Sequence, residues 1–173
     1  MKRLYLLRHA KSSWAQPGLG DIERTLNDRG NEQCRTLSKW WVANGRQIDG
    51  AVVSSAQRTR ETFYGLETAL KFNDVQFFDE LYLGSLDNYL GALWAQTGET
   101  ILLIGHNPTC DELARYLTAP SSPAADRLMA HHFGTASLAV FECDIESWSE
   151  LGRSQARLMD FVRPKDIEKT DVT

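Results

Sequence analysis

The chain opens with an apolar run, Leu4-Tyr5-Leu6-Leu7, that stops abruptly at Arg8-His9, the pattern of a strand buried on both faces. A polar loop follows from Ser12 to Gly20, with Pro17, Gly18 and Gly20 as turn formers. Asn27 then stands as an N-cap, and Cys34, Leu37, Trp40 and Trp41 recur at helical spacing up to a stop at Asn44-Gly45. The spacing places both tryptophans in the core. Ala51-Val52-Val53 predicts a second buried strand ending at Ser54-Ser55, followed by a helix carrying Thr59, Phe63, Leu66 and Leu70. A short strand near Val75 to Phe78, a helix from Leu86 to Ala95 and the strand Thr100 to Ile104 continue the alternation. Gly105-His106-Asn107-Pro108 closes that strand, and a helix from Thr109 to Leu117 follows, with Pro108 where a first turn tolerates proline. Pro120 and Pro123 mark a loop, and Ser137 to Phe141 and Ala156 to Phe161 read as late strands.

Strands alternating with helices predict an α/β fold of three layers, α/β/α, around a central, largely parallel sheet. The 173 residues show no internal repeat and no linker, so residues 1–173 are expected to form one domain. A net charge of -4 opposes broad attraction to nucleic acid or to an anionic membrane, while leaving room for a local basic pocket that binds a small anion. The apolar run at the N-terminus is too short for a signal segment or a membrane span, and a cytoplasmic location is expected. Cys34, Cys110 and Cys143 are odd in number and far apart. They read as buried or idle thiols, with Cys110 set apart by its closeness to the His106 motif.

In such sheets, binding groups gather beyond the carboxyl ends of the strands. Arg8-His9 follows the first strand, Arg58 follows the second by a short turn, and His106 follows the Thr100 to Ile104 strand. A phosphoryl group in transfer needs fixed cations around its equatorial oxygens and an in-line nucleophile. Arg8 and Arg58 supply planar forks of permanent charge. His9 is the candidate nucleophile, because a neutral imidazole attacks phosphorus near neutral pH and divides one hydrolysis into two displacements. His106, if protonated, would donate to a phosphoryl oxygen. Each residue taken alone also fits a plainer role: the arginines as solvated charges at strand ends, His106 as a cap on the next helix.

Leu7-Arg8-His9-Ala10-Lys11-Ser12-Ser13-Trp14 resembles the Arg-His-Gly or Arg-His-Ala signature of the histidine phosphatase, or phosphoglycerate-mutase-like, superfamily, in its longer form the branch similar to the phosphohistidine phosphatase SixA. The resemblance continues at Glu23 to Gly30, at Val53 to Thr62 and at Gly105 to Pro108, in the same order and with compatible spacing. It implies a phosphoglycerate-mutase-like fold and matches Arg8, His9, Arg58 and His106 to the family's phosphate pocket. Arg24 matches an additional phosphate-contacting arginine in an Arg-Pro-Leu segment, though Thr25 here replaces the proline, and a surface salt bridge is the alternative. Ser12 is a candidate hydroxyl donor from the loop after His9. His131 and His132 read as structural or exposed.

Many members of the superfamily protonate an alcohol leaving group with a glutamate. Glu80 is the nearby glutamate here, but by resemblance it matches a position upstream of that acid. A missing acid suits a phosphoramidate, whose nitrogen leaves with less assistance than an alkoxide. The resemblance therefore implies a phosphatase acting on phosphohistidine in a protein through a phospho-His9 intermediate, with release of inorganic phosphate. A small phosphate ester is the alternative substrate, and a noncatalytic phosphate-binding module a third reading. Neither a metal nor another cofactor is expected, because no ligand cluster is visible and the arginines already supply positive charge.

Overall fold

In the computed structural model, residues 1–14 and 17–170 are described. Ala15 and Gln16, within the predicted polar loop, lie outside them. The strands are β1 (Lys2–Arg8), β2 (Ile48–Ser54), β3 (Phe72–Phe78), β4 (Thr100–Gly105), β5 (Leu138–Cys143) and β6 (Ala156–Val162). The helices are α1 (Asp28–Asn44), α2 (Gln57–Leu66), α3 (Leu86–Trp94), α4 (Thr109–Leu117), α5 (Ala125–Ala130) and α6 (Pro164–Thr170). One sheet runs in the order β3-β2-β4-β1-β5-β6. β1 to β4 lie parallel, and β5 runs antiparallel to both of its neighbours. The carboxyl ends of β2, β4 and β1 are thus adjacent along one edge, which is where the sequence places its charged turns.

The period-2 geometry of a strand builds two cores from the same apolar runs. Leu4 and Leu6 of β1, with Ile101 and Leu103 of β4, face a cluster completed by Leu90 and Leu93 of α3, Leu113 and Leu117 of α4 and Leu128 of α5. Tyr5 and Leu7, with Leu102 and Ile104, face the other side, where Leu37 and Trp41 of α1 and Phe63 and Leu66 of α2 pack. Helices on both faces of the sheet make the three layers expected from the alternation. Where a strand is covered on both sides, every position is apolar, which is why β1 and β4 read as continuous runs rather than alternating ones.

Particular elements differ from the expectation. Trp41 is core, but Trp40 is only half-buried at the edge of the same cluster. Leu70 is buried beyond the end of α2 rather than within it. α5 and α6, of six and seven residues, were not predicted. Each is too short to show a helical period, and α6 docks through Ile167 on the α1 side. The Asn107-Pro108 peptide is cis, with Pro108 at the N-cap of α4 rather than inside its first turn. Asn27 is the N-cap of α1 as predicted, its side chain accepting from the Gly30 amide at 2.9 Å.

Leu103 is fully buried in the α3 and α4 face of the sheet. Leu103→Ala is expected to lower the unfolding free energy by about 2–5 kcal/mol through lost burial and a residual cavity, as measured by urea denaturation. A loss well below that range would show that this face is not closely packed.

Candidate active site

Three strand ends supply the site, and a small set of side chains holds the intervening loops against them. The His9 amide donates to the Gly105 carbonyl at 3.0 Å, carrying the β1–β4 pairing one step past the strand. Ala10 N donates to Thr62 Oγ1 at 2.9 Å, and that hydroxyl donates in turn to the Arg58 carbonyl at 2.6 Å. Leu26 N donates to Glu61 Oε2 at 2.6 Å. One turn of α2 therefore presents Arg58 and also ties down the loops that carry His9 and Arg24. Gly30 permits the close approach of these loops, since a Cβ there would lie 2.1 Å from the Lys11 carbonyl oxygen. Gly105 is needed for a similar reason, because a Cβ would lie 2.4 Å from the Tyr89 hydroxyl. That buried hydroxyl accepts from the His106 amide at 2.9 Å and donates to the Leu81 carbonyl at 3.2 Å.

The result is a pocket of about 230 Å³ lined by Arg8, His9, Ser12, Arg24, Arg58 and His106, together with Lys11, Trp14, Asp21, Asn107 and Thr135. All six residues singled out in the sequence meet there. His9 and His106 stack obliquely with ring centroids 5.2 Å apart. Arg8 donates to the Phe133 carbonyl at 3.0 Å. Arg24 donates to Ser12 Oγ at 2.6 Å, and its guanidinium lies 3.5 Å from the centre of the exposed Trp14 ring. Arg24 is largely withdrawn from solvent, with a side-chain exposure of 12%, and it also makes the salt bridge held open as the alternative, its Nε lying 3.4 Å from Asp21 Oδ1 at the rim of the pocket. The Thr25 that replaces proline does not release the loop, because its carbonyl accepts from Ser13 N at 2.8 Å. Buried Nε atoms of Arg8 and Arg58 have no hydrogen-bond partner within the protein, while that of Arg24 lies 3.4 Å from Asp21 Oδ1. Buried guanidinium donors left unpaired are costly, and their residues line one pocket, which fits an oxyanion.

Protonation states follow from the same geometry. His9 Nδ1 lies 2.7 Å from the Ala10 carbonyl oxygen. A carbonyl only accepts, so Nδ1 carries the proton and the lone pair is left on Nε2. Burial, with Arg58, Arg8 and Arg24 adding repulsion against the favourable Ala10 hydrogen bond, pushes the His9 pKa down to about 3. Burial, then His9, Arg58 and Arg8, push His106 down to about 3 as well. The condition attached to His106 in the sequence, that it carry a second proton, is therefore not met before a phosphoryl group enters. A phosphoryl dianion placed among these groups would oppose the arginine contributions and raise both values. His106 Nε2 is 2.7 Å from Ser54 Oγ, which fixes its ring.

Asp21 and Tyr82 were not singled out in the sequence. Arg58 donates to the Asp21 carbonyl at 2.7 Å and to its Oδ2 at 3.2 Å, while the Tyr82 hydroxyl donates to the same Oδ2 at 2.6 Å. The Tyr82 hydrogen bond, against the opposing effect of burial and with further help from Arg58 and Arg24, holds the Asp21 carboxyl below its usual range. The one signal in the sequence was an aspartate three residues before Arg24. Glu80, by contrast, is exposed and does not line the pocket. His132 is exposed and His131 half-buried, both outside the pocket. Cys110 is buried and, like Cys34 and Cys143, unpaired. Among the described residues, no group of three or more His, Cys, Asp or Glu is placed to hold a metal ion, and no helix is long and apolar enough to cross a membrane.

Comparison with known proteins agrees with this geometry. Residues 4–90 match the family model of the histidine phosphatase superfamily (branch 1), and the chain belongs to that family. Its solved relatives place it in the SixA-like branch. The structure of a putative phosphohistidine phosphatase SixA from Nakamurella multipartitia is 29% identical, covers 94% of this chain and 96% of its own, and superposes with a TM-score of 0.81. Another from Agrobacterium tumefaciens is 31% identical over 94% of this chain and 98% of its own, with a TM-score of 0.78. An uncharacterized protein of Mycobacterium leprae is 29% identical over 92% of this chain and its own whole length. The sheet with helices on both sides is thus the phosphoglycerate-mutase-like fold, and family membership brings phosphatase hydrolase chemistry with it.

Two buried neutral histidines make the native state sensitive to acid. Between the folded value of about 3 and the ordinary 6.5, the unfolded chain binds protons that the native chain does not. Stability therefore rises with pH across this window and is lost as pH falls from 6.5, at up to about 1.4 kcal/mol per pH unit for each histidine. His9→Asn is expected to remove close to one such share from the slope between pH 4 and 6 in urea unfolding. Equal slopes in the two proteins would contradict a neutral, buried His9.

Proposed function

We propose that the protein hydrolyses phosphohistidine on a protein substrate through a phospho-His9 intermediate. The observation that carries this reading is the state of the pocket's acid groups: the carboxylate lining it, Asp21, is held ionised by Tyr82, Arg58 and Arg24, and Glu80 lies outside. An alcohol leaving group needs a proton from an acid of this kind. Phosphohistidine does not, because its imidazole leaves neutral when its other ring nitrogen already carries a proton.

In the first step, His9 Nε2 forms a P–N bond as the P–N bond of the substrate breaks, and the charge on the equatorial oxygens is met by Arg8, Arg58, Arg24 and His106. Ser12, bonded to Arg24, orients that guanidinium and keeps a hydroxyl proton for a phosphoryl oxygen. Because Nδ1 remains protonated against the Ala10 carbonyl, phospho-His9 is an imidazolium, a good leaving group. In the second step a water oxygen attacks phosphorus, the P–N bond breaks with its electron pair returning to Nε2, and inorganic phosphate leaves with the protons of the water shared with solvent. His9 is restored in its starting tautomer.

The descriptions of the solved SixA-like relatives as putative phosphohistidine phosphatases support this choice of substrate. A small phosphate ester becomes the better reading only if phosphate binding releases Asp21 from Arg58 and lets it take up a proton, since it is the carboxylate placed at the pocket.

Phosphate release from a phosphohistidine peptide is expected to exceed that from a phosphoserine peptide and from small monoesters by about a hundredfold or more, the scale of general acid assistance that esters would forgo. His9→Ala should abolish turnover, and Glu80→Gln should leave it unchanged. Arg58→Ala should lower kcat and raise KM together. Faster release from a monoester, lost in Asp21→Asn, would replace the proposed substrate class.

A further inference from the structure

The phosphate pocket has a buried floor and an exposed rim. His9, Ser12, Arg58 and His106 are buried, whereas Lys11, Trp14 and Asp21 are exposed. In-line displacement decides what the rim meets. The entering Nε2 of His9 and the departing atom lie on opposite sides of phosphorus, so a nucleophile on the floor sends the leaving group out across the rim. Apart from the two histidines, Trp14 carries the one aromatic ring among the described residues that line the pocket.

The backbone builds this ring into the rim. Asn27 N donates to the Lys11 carbonyl at 3.0 Å and Ser13 N to the Thr25 carbonyl at 2.8 Å, on either side of an antiparallel bridge between Ser12 and Leu26. The register sets Trp14 opposite Arg24, and side chains so placed pack on one another. The Arg24 guanidinium lies 3.5 Å from the centre of the indole and donates to Ser12 Oγ at 2.6 Å. One face of the ring therefore rests on an arginine of the pocket. At 78% exposure, the opposite face is open to solvent. Single exposed aromatics are common on protein surfaces. This one differs in being packed on a pocket cation and standing where the leaving group departs.

We infer that Trp14 is a specificity-determining residue whose open face stacks on the leaving imidazole of phosphohistidine. This role rests on the phosphohistidine reading and adds to it how the leaving ring is recognised. Imidazole is planar and bonded directly to phosphorus, so it stands at the rim once the phosphoryl group is seated among the arginines. Phosphoserine presents a flexible aliphatic arm there, with no ring to stack. Contacts between aromatic rings are worth about twofold to tenfold in affinity beyond the area they bury. The leaving ring is in place as soon as substrate binds, so the contact acts on KM more than on kcat.

The test compares the native protein, Trp14→Ala and Trp14→Phe on two small P–N substrates, N-phosphoimidazole and phosphoramidate, with thermal melts to confirm folding. Trp14→Ala is expected to raise KM for N-phosphoimidazole about fivefold more than KM for phosphoramidate, and Trp14→Phe to restore most of that difference. A tryptophan that only steadies Arg24 would cost both substrates equally, and that result overturns the assignment. Calorimetric binding of phenylphosphonate beside methylphosphonate repeats the comparison without turnover. The native protein should prefer the aromatic ligand by about fivefold, and Trp14→Ala should lose the preference. No preference in the native protein, or a preference that survives Trp14→Ala in either measurement, also overturns the assignment. If the native protein turns over neither P–N compound, or turns over phenyl phosphate faster, the functional reading falls instead, and the phosphonates still decide whether Trp14 selects a ring.

Discussion

The hydrogen bond from His9 Nδ1 to the Ala10 carbonyl is the constraint on which the proposed chemistry depends. It selects the tautomer with its lone pair on Nε2, and in the proposed cycle it keeps a proton on the far side of the ring. The surrounding arginines act in two directions. Before phosphate arrives they disfavour a second proton on His9 and so preserve its nucleophilicity. Once phosphate is present, the same charges attract it. On the proposed reading, one arrangement thus supplies both a nucleophile and an anion site, at the cost of burying cationic groups whose partners are incomplete without an anion.

The fold supplies the rigidity this requires. β2, β4 and β1 are neighbours, so their following turns deliver Arg58, His106 and the Arg8-His9 pair to a single crevice. Thr62 and Glu61 then couple α2 to the loops after β1 and before α1. A change in the seating of α2 would be felt at His9, Arg24 and Arg58 together. Tyr89 performs a similar service from α3, where its hydroxyl fixes the His106 backbone against Gly105.

Much of this was legible in the sequence because it follows from local pattern. Apolar runs that end in Arg8-His9, Ser54-Ser55 and Gly105-His106 mark both the buried strands and the edge where the site forms. What could not be read depends on contacts distant in sequence or on burial. Asp21 meets Tyr82 across 61 positions, and nothing in either local segment announces the pair. The neutral state of His106 reflects its surroundings in the folded core. The reversed direction of β5 leaves no mark in its apolar pattern, since a strand between two neighbours presents the same faces whichever way it runs. α5 and α6 were missed because one or two turns of helix do not establish a period.

The tautomer of His9 can be observed directly by nitrogen-detected NMR of the histidine side chains, assigned with His9→Asn, at pH 7 and pH 5. The account predicts a neutral ring with the proton on Nδ1 and an unprotonated Nε2, unchanged between the two pH values because its pKa lies at about 3. A proton on Nε2 at pH 7, or protonation of both nitrogens by pH 5, would contradict it.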